Sequence, residues 1–163
     1  YPAPPATSID LDLATDASGV GIGAVCGHNW FSVDLVTLTT KLPWLSESLE
    51  HFDINFWEFF ALFAAVLTWG HMWRNKQVLI YVDNLSLTHI CIKGSKSPNI
   101  MRLLRQLFFF TANHNINLMV QHIPGQVNIV ADLLSRLQVQ QFKDISPEAA
   151  TNATPLADHI WDT

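Results

Sequence analysis

Residues 77–83 read Gln-Val-Leu-Ile-Tyr-Val-Asp, a nearly unbroken apolar run that ends in an acid. A half-buried strand alternates apolar and polar side chains, whereas this run carries apolar side chains at both sets of positions. Such runs are typical of a parallel sheet that is covered on both faces. The stretch therefore predicts a central, buried strand of an α/β protein, with Asp83 at its carboxyl end.

The sequence after this strand predicts two helices, another strand and a last helix. Pro98 suits the first turn of the longer helix, because proline lacks the amide hydrogen that this turn does not use. Pro124-Gly125 is typical of a turn. The predicted elements are helices at 86–94 and 98–113, a strand at 116–123 and a helix at 127–137.

The sequence before the central strand predicts a long helix and an antiparallel meander. In the helix, at 55–74, apolar residues recur at spacings that cover one face. The three strands of the meander are predicted at 9–15, after the turn that follows Asp16 up to Cys26, and at 30–38. The order of elements indicates an α/β layered domain with an antiparallel start and a parallel continuation.

The length of 163 residues suits one domain with its own core. Residues 1–8 are rich in proline and are predicted to be a linker. We place the domain at residues 9–137. The remaining residues, 138–163, are polar with scattered alanine and proline, and are predicted to form a loosely structured tail or linker.

The charge balance limits how the chain could bind nucleic acid. Nine Lys and Arg stand against fourteen Asp and Glu, for a net charge of −5. Binding through phosphate contacts alone requires cations, so this mode is excluded as the main one. A nuclease whose acidic centre holds metal ions stays open. A neighbouring domain would then supply affinity for nucleic acid.

The sequence shows no sign of secretion or of membrane insertion. Cys26 and Cys91 are too few for a disulfide framework, which fits a reducing compartment. The apolar window at 56–69 is too short to span a bilayer. We expect an intracellular protein without a membrane segment, and the sequence does not distinguish cytoplasm from nucleus.

Four acids occupy positions that are otherwise apolar or that end strands: Asp16, Glu58, Asp83 and Asp132. In open α/β sheets, functional groups gather beyond the carboxyl ends of strands. Singly, Asp16 or Asp83 is more often a turn or cap residue, Glu58 a residue that favours the helix dipole, and Asp132 a solvated helix acid. Together they predict a carboxylate cluster that needs cations, and oxygen ligands favour Mg²⁺ or Mn²⁺.

The motifs around these acids resemble the ribonuclease H domains of reverse transcriptases. Thr15-Asp16-Ala-Ser-Gly-Val-Gly-Ile-Gly-Ala-Val is similar to the opening hairpin of that family, whose small residues let substrate approach the backbone. Asn55-Phe-Trp-Glu58-Phe-Phe-Ala-Leu is similar to its first helix, and Tyr81-Val-Asp83-Asn84 to the end of its next strand. Pro124-Gly-Gln-Val-Asn128-Ile-Val-Ala-Asp132-Leu-Leu-Ser-Arg resembles the closing segment of gypsy-like and DIRS-like (tyrosine-recombinase) retrotransposons.

This resemblance implies a fold and an activity. The fold would be a mixed five-stranded sheet, three antiparallel strands followed by two parallel ones, with helices on both faces. The activity would be hydrolysis of the RNA strand of RNA–DNA hybrids during reverse transcription, beside a reverse transcriptase polymerase domain. Asp16, Glu58, Asp83 and Asp132 would hold two Mg²⁺ or Mn²⁺ ions, with Asp16 shared between them and Glu58 nearest the leaving group.

Three polar residues are candidates for substrate binding: Ser18, Asn84 and Asn128. Each has a structural alternative, since Ser18 could complete the hairpin turn, Asn84 could serve a turn, and Asn128 could cap the final helix. The mobile histidine that many family members carry in the turn before the last helix is missing here. His122 lies within the predicted strand, which favours a core or edge role.

Four basic residues, Lys93, Lys96, Arg102 and Arg105, are the cluster that could touch phosphate, although a solvated face is the stronger interpretation. Two other functions stay open. One is a catalytically silent connector or interaction domain with the same fold. The other is an integrase-type DNA strand transferase, which shares the sheet but normally ends its acidic set on a glutamate.

Overall fold

The computed structural model describes residues 7–163, with the backbone alone for residues 7–12. The strands are β1 (Thr7–Ala17), β2 (Gly21–Cys26), β3 (Asn29–Asp34), β4 (Lys76–Val82) and β5 (Asn117–His122). The helices are α1 (Leu35–Lys41), α2 (Ser46–Glu50), α3 (Ile54–Trp69), α4 (Leu85–Lys93), α5 (Pro98–Asn113), α6 (Ile129–Ser135) and α7 (Val139–Ile145). Short 3-10 turns lie at Pro43–Leu45, Gly70–Met72 and Asp158–Asp162.

The five strands form one mixed sheet in the order β3-β2-β1-β4-β5. β1 pairs antiparallel with β2, and β2 antiparallel with β3. β4 runs parallel to β1 on one side and to β5 on the other. The expected sheet, with three antiparallel strands followed by two parallel ones, is therefore confirmed.

Helix α3 forms the centre of the main core. Every residue from Phe56 to Trp69 is buried, whereas the sequence pattern predicts a single apolar face. The difference arises because α3 lies between β1 and β2 on one side and α5 on the other, so no face is left to solvent. Glu58 is the one acid within this buried stretch.

Helix α6 covers the opposite face of the sheet. Trp30 of β3, Leu134 of α6 and Phe142 of α7 form a second, smaller apolar cluster, separate from the core around α3. Because side chains alternate along a strand, Ile22 of β2 joins the main core while Val25 packs on the second cluster. Helices thus cover both faces, as expected.

Two segments differ from the sequence prediction before the central strand. Of the predicted linker at residues 1–8, residues 1–6 lie outside the described part of the chain, and Thr7 and Ser8 already belong to β1. The strand predicted at 30–38 ends at Asp34, where α1 begins. The Asp34 side chain accepts a hydrogen bond from the Thr37 amide at 2.9 Å and so caps that helix.

The segment 138–163 is ordered and packs on the domain, unlike the loosely structured tail that the sequence predicts. The indole of Trp30 donates to the Ala150 carbonyl at 2.8 Å, and the Thr154 amide donates to the Trp30 carbonyl at 2.7 Å. Leu156 and Ile160 are buried in the main core. No helix within residues 7–163 is long and apolar enough to cross a membrane.

Candidate active site

Three of the four predicted acids meet at one edge of the sheet. Asp16 lies near the end of β1, and Asp83 directly follows β4. Since β1 and β4 are parallel neighbours, their carboxyl ends lie side by side. Glu58 reaches the same place from α3. One carboxylate oxygen from each of the three lies within 4.8 Å of the others.

Glu58 is 3% exposed and only one of its two carboxylate oxygens has a partner. Oε1 accepts a hydrogen bond from the Ala17 amide at 3.0 Å. Oε2 is buried and has no hydrogen-bond partner. A buried, unpaired carboxylate oxygen is costly, so its usual explanation is a catalytic role or a bound ion. The residues present therefore fit a divalent cation.

The electrostatics of the cluster support the same conclusion. Burial raises the pKa of Asp16 to about 7, and the charge of Asp83 acts in the same direction. Burial, followed by the charge of Asp16, raises the pKa of Glu58 to about 10. Without a cation the cluster thus retains protons at neutral pH. Oxygen-only donors of this kind suit Mg²⁺ or Mn²⁺.

Asp132 lies at the rim of the three-acid group. Its side chain is 37% exposed and forms an ion pair with Arg136, whose Nε lies 3.1 Å from Oδ1 and 3.2 Å from Oδ2. A hydrogen bond with Asp132 is also among the causes that raise the pKa of Asp16, after burial and the charge of Asp83. The fourth acid is therefore next to the group without belonging to its tightest part.

Ser18 and Asn84 are engaged in structural contacts. The buried Ser18 hydroxyl donates to the Ser135 carbonyl at 2.7 Å and accepts from the Val20 amide at 3.2 Å, which completes the hairpin turn. Asn84 caps α4 by accepting from the Ser86 amide at 2.9 Å, and its amide group donates to Asn55 Oδ1 at 2.8 Å. The contacts of Ser18 match its structural alternative, the hairpin turn, whereas Asn84 caps a helix and does not serve the turn that was its alternative.

Asn128 occupies the cap position of α6 but makes no capping hydrogen bond with its side chain. Instead its buried amide Nδ2 donates to the Thr15 carbonyl at 3.1 Å. Asn128 therefore occupies the predicted cap position, but the prediction that its side chain bonds the first turn of α6 is wrong. The contact ties the start of α6 to the backbone directly before Asp16.

The glycines of the opening hairpin accommodate a helix. A Cβ atom on Gly23 would lie 2.5 Å from the Ser135 nitrogen, and one on Gly21 would lie 2.8 Å from the Ser135 carbonyl oxygen. The chain that approaches this backbone is α6, whereas the resemblance led us to expect substrate there. Ser135 itself was not singled out from the sequence, although it lies in the closing motif, three residues after Asp132.

The remaining candidates lie on the surface. His122 is exposed at the end of β5, an edge strand, and not in the core. Lys93, Lys96 and Arg105 are exposed, and Arg102 lies over the Trp44 ring at 4.4 Å from its centroid. This arrangement fits the solvated face that we expect for the basic cluster.

Three solved structures share the fold. An RNase H1 isolated from compost by a metagenomic approach has a TM-score of 0.57 and 18% identity, covering 79% of this chain and 94% of that one. RNase H1 of the archaeon Halobacterium salinarum has a TM-score of 0.54 and 14% identity, with 79% and 96% covered. The N-terminal RNase H domain of a Mycobacterium tuberculosis protein has a TM-score of 0.51 and 12% identity, with 83% and 95% covered. At these identities the similarity shows the fold alone.

The sequence comparisons show the family. The retrovirus-related Pol polyprotein from transposon gypsy of Drosophila melanogaster is 27% identical over 135 residues, which are 82% of this chain and 12% of that polyprotein. The family model of the RNase H-like domain found in reverse transcriptase matches residues 7–110, a range that includes Asp16, Glu58 and Asp83 and ends before Asp132. The chain therefore belongs to the family of RNase H-like domains found in reverse transcriptase.

Proposed function

We propose that this domain is a divalent-metal-dependent endonuclease that hydrolyses the RNA strand of RNA–DNA hybrids during reverse transcription of a retroelement. The observation that carries the proposal is the group of Asp16, Glu58 and Asp83, with oxygens within 4.8 Å of one another and one buried Glu58 oxygen left unpaired. A purely structural acid at such a site would normally have a hydrogen-bond donor for each buried oxygen.

The four acids have different parts in this proposal. Asp16, Glu58, Asp83 and Asp132 would hold two Mg²⁺ or Mn²⁺ ions. When bound, such ions activate a water and stabilise the leaving oxygen of an in-line displacement. Asp16 would be the central ligand, since it lies beside both Glu58 and Asp83 and contacts Ser135 of α6, the helix that carries Asp132. The Ala17 amide fixes the orientation of Glu58 through its bond to Oε1.

To bind a metal ion with the other acids, the Asp132 carboxylate must leave its ion pair with Arg136. Both of its oxygens face Arg136 Nε. An exposed ion pair of this kind contributes about 0–1 kcal/mol, so its opening costs little. Its release would also leave a guanidinium beside the acids, where a phosphodiester needs a positive neighbour.

A second domain would provide most of the affinity for the hybrid. The net charge of −5 disfavours tight binding of phosphates by this domain alone. The matched segment is 12% of the gypsy polyprotein. We propose that an adjoining polymerase domain binds most of the hybrid. We also propose that the protein works inside the cell, where reverse transcription takes place. Equal hybrid affinity with and without that domain would contradict this part of the proposal.

The test is the variant Asp83→Asn, which keeps the shape of the side chain and removes its charge. We expect Mn²⁺-dependent cleavage of a labelled RNA–DNA hybrid to fall by about 100-fold or more, because even outer-shell groups of metal sites contribute about 10- to 100-fold. Circular dichroism should show an unchanged fold. The control is Asp144→Asn, which removes an exposed acid of α7 and should leave cleavage unchanged.

Two results would contradict the nuclease proposal. Calorimetry that detects no binding of Mg²⁺ or Mn²⁺ by the unmodified chain would favour the catalytically silent domain. Cleavage or joining of duplex DNA, with hybrid left intact, would favour the strand transferase. Retained hybrid cleavage in Asp83→Asn would remove Asp83 from the ligand set.

A further inference from the structure

Ser135, in the last turn of α6, is a buried polar residue that contacts two of the acids. Its side chain is 0% exposed. The hydroxyl donates to the Asp132 carbonyl at 2.8 Å and lies 3.5 Å from Asp16 Oδ2. A hydroxyl has one hydrogen, so it serves the nearer carbonyl while the carboxylate stays within reach. The same side chain therefore lies between the backbone of Asp132 and the carboxylate of Asp16.

The backbone of Ser135 is also part of this arrangement. Its carbonyl accepts the hydrogen bond of the Ser18 hydroxyl at 2.7 Å. Ser18 lies two residues after Asp16, and the amide between them, that of Ala17, donates to Glu58 at 3.0 Å. Ser135 thus contacts Asp16 directly and the turn after Asp16 through Ser18.

Helix α6 packs so closely on β2 that these contacts have little room to change. Gly23 has no side chain, and the Ser135 nitrogen lies 2.5 Å from where its Cβ would be. Ser32 of β3 adds a further contact, because its hydroxyl donates to the Leu134 carbonyl at 2.5 Å. Helix α6 is only seven residues long and could not hold its position without such tertiary contacts.

We propose that Ser135 is a positioning residue that fixes the Asp16 carboxylate relative to the backbone of α6 at Asp132, the position from which the fourth acid reaches the metal ligands. This inference rests on the proposed nuclease function. It goes beyond the four acids because Ser135 would not touch the ions or the substrate. Metal sites depend on such outer groups, since a ligand that is free to rotate binds its ion less tightly.

The experiment compares Ser135→Ala with Ser32→Ala. Both variants remove a serine hydroxyl that bonds an α6 carbonyl, but the contact with an acid belongs to Ser135. In the full chain we expect Ser135→Ala to weaken Mn²⁺ binding by about 10-fold in calorimetry and to lower kcat more than KM. Ser32→Ala should lower Tm by a similar amount and weaken Mn²⁺ binding less, because it loosens α6 without removing a contact with an acid.

A metal-free measurement separates the two proposals. In NMR spectra of the chain without metal, Ser135→Ala should move the carboxyl carbon resonance of Asp16 and the backbone carbonyl resonance of Asp132, and Ser32→Ala should move neither. Unmoved resonances, or a loss of Mn²⁺ affinity no larger than in Ser32→Ala, would overturn the role of Ser135. Moved resonances in a chain that binds no Mn²⁺ would support the positioning contact and reject the nuclease function. If Ser135→Ala does not fold, Ser135→Cys replaces it, because a thiol fills the same space and is only a weak hydrogen-bond donor, with the same expectations and the same overturning results.

Discussion

At the scale of single residues, Glu58 combines burial with charge. Its Oε1 accepts a hydrogen bond from the Ala17 amide, and its Oε2 has no hydrogen-bond partner. Its neighbour Asp16 is also buried, so the two carboxyls compete for the same protons. A folded domain without metal therefore holds protons that its unfolded chain would release near neutral pH.

This protonation predicts how stability depends on pH. The pKa of Asp16 rises from 3.8 to about 7, and that of Glu58 from 4.5 to about 10. Stability from these groups is full below their unfolded pKa values and is lost as pH rises through the folded ones. With EDTA present, the free energy of unfolding should fall steadily from pH 5 to pH 8, because the folded chain holds more protons than the unfolded chain over this range. Thermal melting followed by circular dichroism measures this fall.

The variant Glu58→Gln identifies the source of the slope. It keeps the shape of the side chain and removes one of the two carboxyls, so it should reduce the slope, most strongly above pH 7, and stabilise the metal-free chain at pH 8. The control Asp144→Asn should keep the original slope. A slope that Glu58→Gln leaves unchanged would contradict our account of the buried acids.

The four acids could be named from their motifs, but the partners of the other polar candidates could not. Asn128 was expected to bond locally, as a cap, and instead bonds Thr15, which lies 113 residues away in the chain. The Ser18 hydroxyl likewise bonds Ser135 across 117 residues. Patterns of neighbouring residues predict hydrogen bonds between neighbouring residues. The contacts of Asn128 and Ser18 instead depend on how closely α6 packs against the hairpin of β1 and β2.

At the scale of elements, the difference between strand and helix after Asp34 has a physical reason. The predicted strand at 30–38 rested on its place after the turn at 27–29, but Leu35 and Leu38 are spaced for one face of a helix. The Asp34 cap, which bonds both the amide and the hydroxyl of Thr37, decides for the helix. Asp34, an N-cap residue type directly before Leu35, was the feature of the sequence that could have predicted the start of α1.

The seat of α6 on β2 predicts the effect of enlarging Gly23. In Gly23→Ala the added Cβ would lie 2.5 Å from the Leu134 Cβ and the Ser135 nitrogen, so the helix must move. Overpacking of this kind costs about 1–3 kcal/mol. We expect a loss of that size in urea unfolding, together with weaker Mn²⁺ binding because Asp132 moves with α6.

Gly19→Ala is the matched control for this prediction. Gly19 lies in the same hairpin, and a Cβ there would meet nothing within 4 Å. Stability and Mn²⁺ affinity should both stay near those of the original chain. Equal effects of the two substitutions would show that the close approach of α6 is not what limits the size of residue 23.

At the scale of the whole molecule, the segment after α6 is part of the domain. Its polar composition concealed a few buried apolar side chains, Phe142, Leu156 and Ile160. They form no continuous face, because Phe142 packs in the smaller cluster whereas Leu156 and Ile160 pack in the main core. Sequence periodicity detects continuous faces and misses anchors of this kind.

Phe142 provides a test of this segment. It is 2% exposed and packs on the Trp30 ring with centroids 5.3 Å apart. Phe142→Ala should lower the free energy of unfolding by about 3–5 kcal/mol, as for other buried phenylalanines. Ile145→Ala, on the exposed side of the same helix, should change it by less than about 0.5 kcal/mol. A small effect of Phe142→Ala would return residues 138–163 to the role of a loose tail.

The path of this segment also has a consequence for self-association. The Thr154 amide bonds the Trp30 carbonyl beside β3, so one border of the sheet is occupied by the chain itself. The other border, β5, pairs with β4 alone among the strands of residues 7–163. An unpaired edge strand can pair with the edge strand of another molecule. A fibre can grow in this way only if every molecule has an unpaired edge strand at both sides of its sheet. Because segment 150–154 bonds the chain beside β3, we expect strand-to-strand joining of this domain to use β5 and to stop at two copies.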